Sequence, residues 1–139
     1  MVKQLPAIPR FLVLGYSEAA MFLKADQSES VEAAICIHGQ RDPVLECECN
    51  HRVDLQFDDC AMADSSDAFA VYRSRTMRRK AAEVGLDLRP PQDSHVEAMI
   101  AFGQSTRSSE GLVLFQCHAG ISRSAAAAMI ALAQWYGEG

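Results

Sequence analysis

The stretch GLVLFQCHAGISRSAAAAMIALAQWY, residues 111–136, decides the architecture. Residues 112–115 are a run of large apolar side chains opened by Gly111, the pattern of a strand. The alanine-rich segment that runs to about Tyr136 reads as a buried helix. Between the two lies a polar loop, Gln116-Cys117-His118-Ala119-Gly120-Ile121-Ser122-Arg123-Ser124. A loop that joins a strand to a helix N-terminus aims several backbone N–H groups at one point, with the positive end of the helix dipole behind them. It is an anion site.

Cys117 opens that loop, where the same field favours thiolate over thiol and lowers a cysteine pKa. Arg123, six residues later, comes back toward the same point as the loop closes, and its planar guanidinium can hold two phosphate oxygens at once. Gly120 supplies the backbone freedom for the curl, and Ser124 can donate a hydrogen bond to the sulfur. The Cys-x5-Arg spacing by itself is a weak signal. The apolar strand before it, the glycine, both serines and the helix after it are what give it weight. The bland alternative is a buried cysteine followed by a surface arginine at a helix start.

Working outward, residues 10–16 (RFLVLGY) and 33–38 (AAICIH) read as further strands buried on both faces of a parallel sheet. Between them a helix is predicted, capped by Ser17, with Glu18 at its dipole and Ala19, Ala20, Phe22 and Leu23 as helix formers and apolar face. That gives a βαβ unit with right-handed crossover. From 45 to 57 the odd positions (Leu45, Cys47, Cys49, His51, Val53, Leu55, Phe57) are mostly apolar and the even ones polar, a half-exposed extended segment that is an edge strand for part of its length. Residues 67–84 read as a helix ended by Gly85, with Phe69, Val71, Tyr72 and Met77 apolar. Its basic run (Arg73, Arg75, Arg78, Arg79, Lys80) reads as a solvated face, or more sharply as a surface that steers an anionic substrate toward Cys117. After Pro90 and Pro91, the capping-box pattern Ser94-His95-Val96-Glu97 starts a helix whose Val96, Met99, Ile100 and Phe102 should pack on the sheet. The expectation is one α/β domain spanning 1–139, a central and mostly parallel sheet flanked by helices.

A chain of 139 residues, 49% apolar and 22% charged, is sized for one core. This composition excludes disordered, collagenous and membrane-spanning chains. No apolar run is long enough to cross a bilayer, and no signal peptide is read near Phe11, so a cytoplasmic location is expected. A net charge of -5 disfavours nucleic acid and membrane partners. Five cysteines, an odd number without framework spacing, read as free thiols. Cys47-x-Cys49-x-His51 puts two thiols and an imidazole on one strand face, with Cys36 or Cys60 to complete a soft-metal set. The same positions continue an apolar face through Val53 and Leu55, so no metal is expected. His38, His95 and His118 read as ordinary histidines, and Trp135 and Tyr136 as packing residues.

Residues 117–124 resemble the phosphate-binding loop of cysteine-based protein tyrosine and dual-specificity phosphatases, in the C-x-A-G-x-S-R-S form of their compact members. More narrowly, residues 50–59 (NHRVDLQFDD), the helix through Phe102 and the alanine run are similar to a bacterial group of predicted tyrosine phosphatases. The resemblance implies that Cys117 attacks phosphorus and forms a phosphocysteine. It implies that Arg123 and the loop from His118 through Ala119, Gly120, Ile121 and Ser122 bind the phosphoryl oxygens, with Ser124 on the sulfur. It also implies an aspartic acid that protonates the leaving oxygen and then activates water. Asp59 matches the family's position, with Asp58 and Asp87 as rivals. Strand parity agrees on Asp59, since it sets Asp58 toward solvent and Asp59 inward. Gln116 stands where the family usually carries a histidine, so a smaller depression of the thiol pKa is expected. The arginine-rich segment is longer than the family's connection, and the chain stops about one helix after the loop, without the family's further C-terminal helices.

The function expected is therefore hydrolysis of phosphomonoesters, with no cofactor. The substrate would be a phosphorylated protein or a small phosphomonoester, and phosphate- or vanadate-type anions would bind. A catalytically weak phosphoryl-binding module is the rival from another class. A sulfurtransferase carrying a persulfide on Cys117 is a weaker rival, because Arg123 and Ser124 suit phosphate better.

Overall fold

The apolar runs at Phe11–Leu14 (β1), Val31–His38 (β2), His51–Gln56 (β3) and Leu112–Gln116 (β4) pair into a single sheet. Its order is β1-β4-β2-β3 and every pairing is parallel. The helices are Tyr16–Lys24 (α1), Ala68–Glu83 (α2), Asp93–Thr106 (α3) and Arg123–Tyr136 (α4). The structure is a computed structural model and describes residues 7–25, 30–60 and 67–137. The α/β architecture with helices on both faces of a parallel sheet is as read from the sequence.

The two central strands carry the continuous apolar runs: Ile35, Ile37, Val113, Leu114 and Phe115 are fully buried. On one face Ala33, Ile35, Ile37, Val113 and Phe115 meet α3 and α4, with Phe115 edge-on to Phe102 at 5.8 Å between ring centroids. On the other face Ala34, Cys36, Leu112 and Leu114 are covered by Ala19 of α1 and by Leu45. α3 and α4 approach closely because Gly103 leaves room: a Cβ there would lie 2.9 Å from the Ala131 Cα. Trp135 closes this interface, its Nε1 donating to the Gly103 carbonyl at 3.0 Å and to Thr106 Oγ1 at 3.1 Å.

Several local expectations are corrected. β1 is an edge strand and only half-buried, since β4 covers one side of it alone. α1 is capped by Gly15 rather than Ser17, which sits exposed in its first turn, while Glu18 Oε1 accepts from the Gly15 N–H at 3.4 Å. The N-cap of α3 lies two residues before Ser94, at Gln92, whose N–H donates to His95 Nδ1 at 2.9 Å. Asp67 caps α2 through the N–H groups of Phe69 and Ala70. Phe69, Tyr72 and Met77 are exposed, however, and the helix buries Ser74 instead. Both faces of the sheet are already covered by α1, α3 and α4, which leaves α2 little apolar surface to rest on. The apolar stripe read across 45–57 is two stripes. Leu45, Cys47 and Cys49 pack with α1, whereas Val53, Leu55 and Phe57 pack on the α3–α4 side, because the chain reaches the sheet only at His51. No helix among the described residues is long and apolar enough to cross a membrane.

Candidate active site

β4 ends at the C-terminal edge of the sheet, where open parallel sheets place their ligands. The Cys117 N–H donates to the Leu14 carbonyl at 3.4 Å, carrying the β1–β4 pairing one residue further. The chain then curls: the Tyr16 N–H donates to the His118 carbonyl at 2.9 Å, which seats the loop on the junction of β1 and α1. Gly120 makes the curl with φ +73°, and a Cβ there would come within 2.7 Å of the Leu14 carbonyl carbon. Only glycine meets both conditions.

This curl encloses the Cys117 thiol, which is 1% exposed. The Gly120 N–H donates to Sγ at 3.1 Å, and Ser124 Oγ lies 3.1 Å from it. Burial pushes this thiol up. The hydroxyl and N–H of Ser124, the Gly120 N–H and the charge of Arg123 outweigh burial and hold it below the ordinary thiol value. Gln116 is buried beside it, but its Nε2 donates to the Cys117 carbonyl at 2.9 Å rather than to the sulfur. His118, Ala119, Ile121 and Ser122 are exposed along the loop.

Arg123 enters the same space from the first turn of α4. Its Nη1 donates to the Phe57 carbonyl at 3.0 Å, and its Nη2 pairs with Asp42 Oδ2 at 3.0 Å. That carboxylate oxygen also accepts the Gly39 N–H at 2.6 Å. The guanidinium is thus fixed by its two outer nitrogens. Its Nε–H is buried and has no acceptor among the described residues.

The candidate acids are arranged otherwise than strand parity implies. Asp58 is the buried one, 8% exposed. It accepts from the Arg89 N–H at 2.7 Å, from Gln40 Nε2 at 2.9 Å and from the Gln40 N–H at 3.2 Å. Burial raises its pKa, but these bonds and the charge of Arg123 hold it below the ordinary carboxylate value. Asp59 is exposed and accepts from Ser122 Oγ at 3.0 Å, at the rim of the loop. Parity fails here because β3 ends at Gln56, so residues 57–59 no longer alternate. Asp87 is exposed, and its backbone carbonyl accepts from Gln40 Nε2. Next to the loop lies a cavity of about 220 Å³, with Asp59, Ser122 and Arg123 on its polar side and Val96, Met99 and Ile130 on its apolar side.

The structure therefore gathers Cys117, Ser124, Gly120 and Arg123 around one point and sets Asp59 at its edge. Asp42, Gln40 and Arg89 were not singled out from the sequence. The one usable signal for Asp42 was its place in the turn after β2, at the edge of the sheet that carries Cys117. The thiol–imidazole set does not assemble: Cys47 and Cys49 pack on the α1 face while His51 stacks on Phe102 at 5.5 Å on the other. Burial pushes Cys36 up to about 12 and Cys47 up to about 11. Among the described residues no group of three or more His, Cys, Asp or Glu side chains could hold a metal ion. Compared with known proteins, the chain matches no family model, no curated protein and no solved structure, so the chemistry of this site is argued from its own geometry.

Proposed function

We propose that the chain hydrolyses phosphomonoesters through a phosphocysteine intermediate on Cys117. The observation that carries this reading is a buried thiol biased toward thiolate, beside an anchored guanidinium whose buried Nε–H lacks an acceptor. A phosphoryl oxygen is the acceptor that completes the site. In the first step the Cys117 sulfur attacks phosphorus, the P–S bond forms, and the P–O bond to the leaving group breaks as Asp59 gives that oxygen a proton. Arg123 and the loop N–H groups stabilise the charge on the equatorial oxygens. In the second step Asp59 takes a proton from water, the water oxygen bonds to phosphorus, and the P–S bond breaks to release inorganic phosphate.

Asp59 suits the acid–base role better than Asp58, because Asp58 is buried and held by three donors while Asp59 is exposed beside Ser122. The adjoining cavity offers an apolar wall to the organic part of the substrate. No cofactor enters this scheme. The test is hydrolysis of p-nitrophenyl phosphate by the intact chain and by Cys117→Ser, with vanadate affinity measured for both. Turnover is expected to vanish in Cys117→Ser while vanadate still binds, because the amides and Arg123 remain. Near-normal hydrolysis by Cys117→Ser would overturn the covalent route. Vanadate binding without turnover of any phosphomonoester by the intact chain would make the site a phosphoryl-binding module.

A further inference from the structure

We propose that α2 is a docking surface for an acidic segment of a phosphoprotein substrate, an inference that rests on the phosphomonoesterase reading above. Of the chain's 13 lysines and arginines, five lie in α2, against one of its 18 acidic residues, Glu83. The helix is thus +4 within a chain of net -5, and the remainder carries -9. Away from this helix and the Cys117 loop, a body of that sign disfavours the approach of an acidic peptide.

The geometry of α2 agrees with a recruiting role. Arg78 turns inward, its Nη2 within 3.8 Å of Cys60 Sγ, and Cys60 lines the cavity beside Asp59. The helix therefore approaches the candidate site at Arg78. Arg73, Arg75, Arg79 and Lys80 are exposed, and none of them has an acidic partner among the described residues. Tyr72 and Arg73 lie three and four residues after Phe69, Thr76 four and three after them, and Arg79 and Lys80 three and four after Thr76, so these residues share the outward face. Phe69 is 71% and Tyr72 69% exposed, giving two aromatic surfaces within the cationic field. Arg75 and Arg79, four apart, repel each other along the helix, a standing cost that an acidic partner removes.

A peptide fits this face better than a membrane does. An interfacial helix needs an apolar stripe along its length, whereas the outer face of α2 is apolar only at Phe69 and Tyr72 near its start. A bilayer of anionic lipid would also face the remaining -9 of the chain across a broad plane, while a single acidic strand can stay on the helix.

The test uses the full chain and a fluorescein-labelled Glu-rich peptide with one tyrosine, prepared with and without a phosphate on that tyrosine. The comparison variant is Arg73→Gln/Arg75→Gln/Arg79→Gln/Lys80→Gln, with Arg79→Gln/Lys80→Gln as a milder second variant should the first lose helicity by circular dichroism. The unphosphorylated peptide should bind the wild type, weaken as salt rises from about 50 to 300 mM, and lose roughly tenfold or more in affinity in the four-site variant. For the phosphopeptide kcat/KM should fall by a similar factor, while kcat/KM for p-nitrophenyl phosphate stays within about twofold. Unchanged peptide affinity in both variants overturns the proposal. So does capture of the wild type by phosphatidylserine-containing vesicles with no binding of the peptide. If α2-dependent peptide binding is found but no phosphoester is hydrolysed, docking stands and the hydrolase reading is the one that fails.

Discussion

Cys36 and Cys117 lie almost side by side in chain register and are opposite in chemistry. Cys36 pairs across the β2–β4 ladder with Gln116, the residue before Cys117, and both thiols are closed to solvent, at 0% and 1% exposure. Burial alone would treat them alike. Cys36 projects into the layer under α1, where burial dominates and its pKa is pushed up to about 12. Cys117 projects from the opposite face of the sheet at the point where β4 stops and the curl begins. There the Gly120 N–H, both donors of Ser124 and the charge of Arg123 reverse the effect of burial. The difference shows that the curl, rather than the strand or the core, makes the nucleophile.

The largest effect expected from that contrast is in alkylation. At pH 7 a thiol with a pKa near 12 is about 0.001% thiolate, against a few per cent for an ordinary cysteine. Iodoacetamide should therefore label Cys117 faster than Cys36 by roughly three orders of magnitude or more, with phosphate protecting Cys117. Mass spectrometry of timed samples reads both sites at once. Ser124→Ala should move the half-rate pH of Cys117 upward and leave Cys36 unmoved. Comparable labelling of Cys36 and Cys117 in the native chain would break the comparison outright.

A second contrast sets the adjacent carboxylates apart. Asp59→Asn should slow aryl phosphates with poor leaving groups by roughly two to four orders of magnitude and nearly spare those with the best. Asp58→Asn, by contrast, should change kcat little and uniformly across the series. Rates plotted against leaving-group pKa separate the two. A steep dependence appearing in Asp58→Asn or in Asp87→Asn would move the acid role there.

These contrasts also show what was legible in the sequence. The parallel sheet, the strand β4, the loop and α4 could be read because each rests on a local pattern: an apolar run, a turn glycine, an alanine-rich helix. The edge position of β1 could not, since it depends on β4 inserting between strands distant in sequence. Asp58 and Asp59 were misread for a related reason. Alternation holds only while the chain stays in the sheet, and the bonds from Arg89 and Gln40 that draw Asp58 inward come from loops 31 and 18 residues away. The pairing of Asp42 with Arg123, across 81 residues of chain, was likewise beyond a local pattern, which marks Asp42 only as a residue in the turn after β2.

Asp42 supplies a third and smaller effect. It fixes one end of the Arg123 guanidinium while the Phe57 carbonyl fixes the other, so Asp42→Asn leaves the charge of Arg123 in place but loosens its aim. Inhibition by phosphate should weaken by about tenfold, with Arg123→Lys worse because an ammonium cannot form the bidentate fork. Equal phosphate affinity in wild type and Asp42→Asn would show that Arg123 needs no such anchor.

The smallest effect on turnover, and the sharpest test of Asp58 as scaffold, lies in stability against pH. Three donors converge on its carboxylate, and Arg123 adds a favourable charge, so its folded pKa lies below the ordinary value of 3.8 in spite of burial. A carboxylate depressed on folding stabilises the native state fully above its unfolded pKa, and that contribution disappears as pH falls through the folded value. Asn at position 58 keeps the shape but presents an NH2 to groups that are themselves donors, leaving a buried polar atom unpaired at a cost of about 1–3 kcal/mol. The wild type should thus be more stable than Asp58→Asn at pH 7, measured by urea midpoint. The gap should narrow below about pH 4, as the wild-type carboxyl takes up a proton and loses the same interactions. Asp59→Asn, at an exposed site with a single hydroxyl partner, should show almost no gap at either pH. If Asp58→Asn trails the wild type by an equal margin at pH 7 and pH 3, the charge of Asp58 is not what binds the loops of Gln40 and Arg89 to the end of β3, and the two carboxylates would differ in shape alone.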